Sequence, residues 1–445
     1  MNPNDRIVTR FAPSPTGLLH GGNYRTAVFA YLFAKKTNGE FIIRIENTDK
    51  ARSKQEYEDN IWETITWLNL LPDRKFRQSE QVARHTELLK KLIEEGKAYI
   101  SKEEIKKEGD RAEVIRFKNP NKSVTFVDII RGPITIDTTD LGDFVIARSL
   151  EEPVFHLAVV VDDADAGVTH IVRGEDHISN TPRQILIGEA LGFTTPTYAH
   201  LPLVLDQNKA KLSKRRGAKA LTQYRDEGYL PEAMINYLTL LGWHPEGEQE
   251  VFSVEELIQA FSLDRIQKSA GIFDEIKLKW FNHEHLKRLT DQDFLYRLKE
   301  FFIKKGSELP SYTEEVLHLL RERSQTLGEA YEAIVGGEYA FLTEEPSPTK
   351  ELLLQGAKAE GVEVATYLEQ VSTLLEAIDD NDFTAEKVKE ILFPYATEVG
   401  RSKVLWPMRV ALSGKEKSPD PFTLCGLLGK ETALTRIRAA QDVVQ

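Results

Sequence analysis

Two stretches gather residue types that handle phosphate. Pro13 to Asn23 reads PSPTGLLHGGN. Its glycines let backbone amides approach an anion, and it feeds a predicted helix whose N-terminal dipole favours negative charge. A nucleoside triphosphate suits such a loop. The spacing is neither GxxxxGK(S/T) of a P-loop nor GxGxxG of a dinucleotide fold. Taken alone it is equally a plain strand-to-helix turn, with His20 a polar residue at the helix start. Lys209 to Lys219, KAKLSKRRGAK, carries six basic side chains in eleven positions and no acid. Beside a nucleotide its lysines would neutralise charge on a departing pyrophosphate; elsewhere the same run is a solvated basic face or an RNA backbone contact.

A third stretch, Thr169 to Gln184 (THIVRGEDHISNTPRQ), puts Arg173 at a predicted strand end, where a guanidinium can clamp a carboxylate. Glu175, Asp176 and His177 offer acceptors for a ribose or base; a surface ion-pair cluster would read the same way. Asp162, Asp163 and Asp165 fail the EF-hand pattern, since its sixth position counted from Asp163 falls on Val168 and its twelfth on Gly174. They are read as a turn, with Mg²⁺ arriving on ATP. HEH at 283 to 285 is read as the start of a surface helix rather than a metal site.

The elements that must position these groups follow from periodicity. RIVTRF alternates like a strand, Tyr24 to Thr37 has helical spacing ending at Asn38-Gly39, and Glu40 to Asn47 (EFIIRIEN) is β-rich. Together they make a βαβ unit opening a parallel nucleotide-binding sheet, with the ligand face at Ser14 to Asn23. Residues 51 to 100 are helical in pattern. From 100 to 155 a charged stretch precedes SVTFVDII, PITIDTTD and DFVIARS, read as an insertion with its own small sheet. FHLAVVVDD, THIVRGEDH and LPLVL are strand-like around the helical RQILIGEALGF, so the parallel fold resumes. Beyond 222 amphipathic helices dominate, with EEPSPTK (344 to 350) as a linker.

Composition sets outer limits. With 41% apolar and 29% charged residues, the 445-residue chain can bury an ordinary core, and about 150 residues per domain predicts roughly three domains. The net charge of −12 leaves RNA binding open, because phosphates are met by local basic surface. Apolar runs fall short of the roughly 18 residues of a membrane span. The start lacks a secretory pattern, so a cytoplasmic protein is expected. Cys425 is the only cysteine, which rules out an internal disulfide and a thiolate-rich zinc site.

In this order the motifs resemble those of the class I aminoacyl-tRNA synthetases, specifically bacterial-type glutamyl-tRNA synthetases. RFAPSPTG (10 to 17) and LHGGNYRTA (19 to 27) look like that family's opening, with His20 and Gly22 standing for its HIGH element. FIIRIENTD, FRQSE, VVVDD, GEDHISNTPRQ and KLSKR (211 to 215, for KMSKS) follow in family order, then LPEAMINYLTLLGW, FDEIKLKWFN, RVALSG and LLGKE. The likeness spans essentially the whole chain.

The resemblance implies an α/β class I parallel-sheet nucleotide-binding domain with an inserted α+β acceptor-binding domain and an all-α C-terminal anticodon-binding region. The implied boundaries are 1–80 and 156–221 for the catalytic halves, 81–155 for the insertion, 222–290 for a stem-contact region and 291–445 for the anticodon region. It implies glutamate and ATP with Mg²⁺ as substrates, no zinc, tRNA(Glu) as acceptor with tRNA(Gln) left open, and a monomer. His20, Gly22, Lys211 and Lys214 would be catalytic. Ser14, Asn23 and Ser213 would join them around ATP. Arg10, Ala12, Ser14, Glu46, Phe155, Arg173 and His177 would hold glutamate, with Arg10 on the side-chain carboxylate and Glu46 on the ammonium. Arg321 and Arg323, on a predicted helix, are the candidate anticodon contacts, with solvated arginines as the plain alternative.

Departures from the pattern are Phe155 for a common tyrosine, Gly21 and Asn23 in the HIGH element, Leu212 and Arg215 in KMSKS, and Asn47 for an aspartate. Three other readings fit less well, given the α-rich tail and the retained His20, Glu46 and Lys214. A truncated relative that glutamylates a tRNA base lacks the helical tail, glutaminyl-tRNA synthetases typically end in β-barrels, and an inactive paralogue would bind RNA without catalysis.

Overall fold

The computed structural model describes residues 6–105, 111–213 and 216–445. They fall into two compact units, Met1–His285 and Leu286–Gln445.

The first unit is built on β1 (Val8–Phe11), α1 (Gly21–Lys36), β2 (Glu40–Ile45), α2 (Gln55–Trp67), β3 (Arg74–Arg77) and α3 (Val82–Glu94). Strands β4 (Ala98–Lys102), β5 (Glu113–Phe117), β6 (Ser123–Asp128), β7 (Gly132–Asp137), β8 (Phe144–Ser149) and β9 (Glu152–Pro153) follow. After them come α4 (Phe155–Asp165), β10 (His170–Gly174), α5 (Thr181–Leu191), β11 (Thr197–Leu201) and β12 (Val204–Leu205). The main sheet has the order β3-β2-β1-β10-β11-β6-β7, parallel throughout except for the antiparallel β6–β7 pair. Every residue of β1 and β2 is buried, as expected for central parallel strands covered on both faces. The one hydroxyl inside β1 is satisfied, since Thr9 Oγ1 donates to Ala30 O at 2.8 Å. One apolar layer sets α1 with Tyr237, Trp243 and Phe281 against the sheet; the other carries Leu89, Leu157, Ile187 and Tyr198 from α3, α4, α5 and β11.

Three readings change here. FHLAVVVDD is the helix α4, not a strand: its β-branched run favours β locally, but its apolar side chains pack on α3 and α5 and that burial overrides propensity. SVTFVDII and PITIDTTD do not join the insertion's own sheet. Their hairpin extends the main sheet through β6 beside β11, while β4-β5-β8-β9 form a separate antiparallel sheet. The helical stretch after residue 51 is broken by β3, paired in parallel with β2.

The unit continues through α6 (Leu221–Asp226), α7 (Pro231–Leu240), α8 (Val254–Ala260), β13 (Gly271–Ile272) and α9 (Glu275–Arg288), the last crossing the unit boundary. HEH lies inside α9 rather than at a surface helix start. His285 is buried, with Nε2 3.0 Å from Asn236 Oδ1.

The second unit is helical among its described residues: α10 (Asp291–Lys304), α11 (Glu314–Arg323), α12 (Leu327–Val335), α13 (Lys350–Gln355) and α14 (Gly361–Glu376), then α15 (Ala385–Val399), α16 (Arg401–Ser413), α17 (Pro421–Leu428) and α18 (Lys430–Val444). Side chains of Thr290, Thr326, Thr349, Thr384 and Asp420 cap helix starts. Arg321 and Arg323 part company on α11. The spacing that buries Leu317 and Leu320 also turns Arg321 inward, where it pairs with Asp291 at 2.8 Å and lies 2.8 Å from His318 Nδ1. Arg323 stays exposed, 3.1 Å from Glu338. No helix among the described residues is long and apolar enough to cross a membrane.

Candidate active site

The carboxyl ends of β1 and β10 lie side by side, and the chain leaves them in opposite directions across the sheet, which opens a crevice at that switch point. A cleft of about 440 Å³ fills it. Arg10, Ala12, Ser14, His20, Gly22, Asn23, Glu46, Phe155, Arg173, His177 and Lys211, chosen from sequence, all line it. Ser213 is not among the lining residues, and its carbonyl accepts from the amides of Arg216 and Ala218. Lys214, with Arg215, lies outside the described residues.

His20 is the N-cap of α1. Its Nδ1 accepts from Gly22 N at 3.1 Å while its own amide donates to Asn23 Oδ1 at 3.1 Å. Asn23, a departure from the family pattern, thus closes a reciprocal cap of the Ser-x-x-Glu kind. With Nδ1 accepting, the ring proton sits on Nε2. A Cβ on Gly22 would press on the His20 ring at 3.1 Å, and one on Gly21 would meet Phe273 at 2.9 Å, so both glycines serve close packing. No acid occupies the first turn of α1, leaving its amides and dipole to an anion.

Lys211 arrives from a tight turn. Asp206 Oδ1 accepts from the amides of Asn208 and Ala210, Lys209 takes a left-handed φ of 58°, and Lys211 bridges back to Leu205 of β12. Its Nζ lies 2.7 Å from Asp176 Oδ2. Burial opposes ionisation of Asp176, but the hydrogen bond and charge of Lys211, with smaller neighbouring contributions, together outweigh it and hold the carboxyl below its usual range.

Beneath the cleft lies a charge cluster that sequence reading missed. Arg44, fully buried on β2, bonds Asp163 of α4, sits 3.0 Å from Glu46 and 3.7 Å from Asp162. Arg10 Nε lies 3.3 Å from Asp163, and Asp162 also meets His85 at 2.6 Å and Gln78 at 2.8 Å. The aspartates read as a turn are thus in the last turn of a helix, where Asp162 and Asp163 anchor two arginines while Asp165 pairs with Arg84 at 3.0 Å on the surface. One signal was available: a charge inside the apolar run FIIRIE demands buried partners. Burial disfavours the Arg44 cation, yet its three carboxylates outweigh that and raise its pKa. Burial raises the pKa of Glu46, with Arg44 and Arg10 opposing. Among these five groups two arginines face three carboxyl groups, and Glu46 is the acidic member that lines the cleft, a place for an ammonium.

His156 and His177 are both lowered to about 4, chiefly by burial, with Arg183 and Arg173 respectively as the next cause. Both are neutral at working pH. Because these folded values lie below the unfolded one of about 6.5, stability is complete above that pH and is lost as pH falls from there toward 4. The urea midpoint of the first unit is expected to be lower at about pH 5 than at about pH 7, and His156→Phe should narrow the difference. Equal midpoints in the wild type would contradict this.

Among the described residues no group of three or more His, Cys, Asp or Glu could hold a metal ion. Comparison with known proteins agrees with the geometry. A family described as "tRNA synthetases class I (E and Q), catalytic domain" matches residues 6–113 and 100–280, and an "Anticodon binding domain" matches 293–441. Glutamate-tRNA ligase of Aquifex aeolicus (strain VF5) is 40% identical, covering 97% of this chain and 98% of that sequence. That of Sulfurihydrogenibium sp. (strain YO3AOP1) is 38% identical, covering 96% and 98%. The crystal structure of a glutamate tRNA ligase from Elizabethkingia meningosepticum CCUG26117, in complex with its amino acid, superposes with a TM-score of 0.82 at 30% identity, covering 99% of this chain and 100% of that one. With both domains matched and likeness along nearly its whole length, this chain belongs to the class I aminoacyl-tRNA synthetases for glutamate and glutamine, and within them to the bacterial-type glutamyl-tRNA synthetases.

Proposed function

We propose that the chain, acting as a monomer, joins glutamate to the 3′ terminal adenosine of tRNA(Glu) in two steps. The observation that carries this is one cleft, built from a single chain, holding Arg10 and Arg173 for carboxylates, Glu46 for an ammonium, and the His20–Gly22 helix start with Lys211 for phosphates. ATP enters as its Mg²⁺ complex. A glutamate carboxylate oxygen attacks the α-phosphorus, the bond to the bridging oxygen breaks, and pyrophosphate leaves. A ribose hydroxyl of the tRNA then attacks the acyl carbonyl and AMP departs. Neither step passes through a covalent enzyme intermediate, so alignment and charge stabilisation do most of the work.

Arg10, held by Asp163, faces the side-chain carboxylate. It favours a charged carboxylate over the neutral amide of glutamine. His20 Nε2–H and the first α1 amides hold the triphosphate, Ser14 and Asn23 line that end, and Lys211, with Lys214, meets the charge on pyrophosphate. Neutral His177 lies against Phe155, ring centroids 5.8 Å apart, on the side of substrate and adenosine. In the helical unit, exposed Arg323 is the member of its pair available to an anticodon; Arg321 braces α11 on Asp291.

The test is ATP–pyrophosphate exchange with glutamate or glutamine, with and without tRNA(Glu), followed by charging of tRNA(Glu) and tRNA(Gln). Exchange with glutamate alone as amino acid, dependent on tRNA, supports the reading. Absence of exchange under every condition would instead favour an inactive RNA-binding paralogue. Phe155→Tyr, which restores a hydroxyl at the cleft wall, should lower the KM for glutamate about tenfold, the effect of one hydrogen bond to a charged group. An unchanged KM would place that ring out of the substrate's reach.

A further inference from the structure

Arg173 is 5% exposed, yet none of its hydrogen bonds among the described residues goes to a carboxylate. Its Nε donates to His200 Nε2 at 3.1 Å, Nη1 to Gln184 Oε1 at 2.7 Å and Nη2 to Thr181 Oγ1 at 2.7 Å. All three acceptors are neutral. Three of five N–H groups are used, and the guanidinium lines the cleft with charge and donors to offer.

His200 is in direct parallel register with Arg173, on β11 beside β10. Two strand residues earlier on the same face, Tyr198 stacks on His200 at 10° and lies 5.3 Å under the Arg173 guanidinium. A guanidinium only donates, so His200 Nε2 must present its lone pair and the ring proton must sit on Nδ1. That nitrogen lies 2.7 Å from Asp128 Oδ2, which also accepts from the His200 amide at 2.9 Å. The other oxygen, Oδ1, accepts from the amides of Ile130 and Arg131 at 3.0 and 2.9 Å. Four donors converge on one carboxylate at the β6–β7 turn, so Asp128 cannot swing away or donate. Burial, set against the Asp128 hydrogen bond, lowers the pKa of His200 and keeps it neutral.

We infer that Asp128 and His200 are positioning residues for the substrate. Asp128 fixes the Nδ1–H tautomer of His200, and the Nε2 lone pair this leaves toward Arg173 orients the guanidinium toward the glutamate carboxylates. This rests on the role given to Arg173 above. A carboxylate is gripped well only by a guanidinium held at the right angle, and an arginine ringed by carboxylates would have its charge already spent. A purely structural buried network would stabilise the hairpin equally well and would show no coupling to substrate.

The experiment measures KM for glutamate and for ATP in tRNA charging by the full chain, for His200→Phe, Asp128→Asn, Arg173→Gln and the His200→Phe/Arg173→Gln double variant. His200→Phe and Asp128→Asn are expected to raise the glutamate KM about tenfold, as for loss of one hydrogen bond to a charged group, and to leave the ATP KM within about twofold. In the Arg173→Gln background the same ring change should add less than about twofold, because the group it orients is gone. A full tenfold effect persisting there, or glutamate and ATP KM rising together, overturns the inference. Arg173→Gln with an unchanged glutamate KM overturns the role of Arg173 itself, and a single variant reveals it. If His200→Phe fails to fold, His200→Gln decides: its amide oxygen can accept from Arg173, so a glutamate KM within about threefold of wild type supports the positioning role and a loss of tenfold or more overturns it.

Discussion

Arg44→Met is expected to lower the stability of the first unit by about 3 to 5 kcal/mol, the penalty for removing one member of a buried ion cluster. The substitution removes the cation that contacts Asp163, Glu46 and Asp162 together and leaves three buried carboxylates facing Arg10 alone among the cluster's cations. The methionine fills much of the space, so the loss reflects charge rather than a cavity. At roughly 2 to 4 °C per kcal/mol for a unit of this size, the melting temperature should fall by about 6 to 20 °C. Arg44→Lys should lie between, since a single ammonium cannot satisfy three carboxylates around a planar fork. Calorimetry or circular dichroism measures it, and a change below about 1 kcal/mol in Arg44→Met would show that Asp163 and Glu46 find other partners. Glutamate KM in the surviving Arg44→Lys fraction should also rise, because Asp163 holds Arg10 and Arg44 holds Glu46.

Lys211→Ala should reduce kcat for ATP–pyrophosphate exchange about 10²- to 10³-fold, the range for removing one donor aimed at developing charge. The KM for glutamate should move by less than about twofold, as for an interaction made mainly in the transition state. The ammonium lies 2.7 Å from Asp176, with both side chains about half exposed. That surface pair is weak, so a triphosphate can draw the lysine away from it. A kcat within about threefold of wild type would leave the pyrophosphate to Lys214 and the α1 amides.

The opening βαβ unit and most of the cleft were legible because their chemistry is local. RIVTRF, the Gly-rich loop and the helix beginning near Tyr24 follow one another within about thirty residues, and turn chemistry, capping and periodicity act at that range. The helix begins slightly earlier, at Gly21, because His20 and Asn23 cap it reciprocally. The family likeness then assigned roles to cleft residues that spacing alone could not.

What sequence could not show was decided by contacts between distant segments. Arg44 and Asp163 are 119 residues apart, and His200 and Asp128 are 72 apart, so neither pair leaves a mark in any local window. The run Ala158 to Asp163 carries strand-forming valines, but its place between α3 and α5 makes helix the state that buries more. The β6–β7 hairpin has the same alternation in either sheet, and only β11 fixes which sheet it joins. On α11 two arginines two residues apart point to opposite environments because the helix register, set by Leu317 and Leu320, buries one and exposes the other. Residue types and local spacing therefore determined the chemistry available and the first elements that carry it. Burial and charge pairing across the fold decided which side chains are held in place to use it, because those energies depend on neighbours that only tertiary structure brings together.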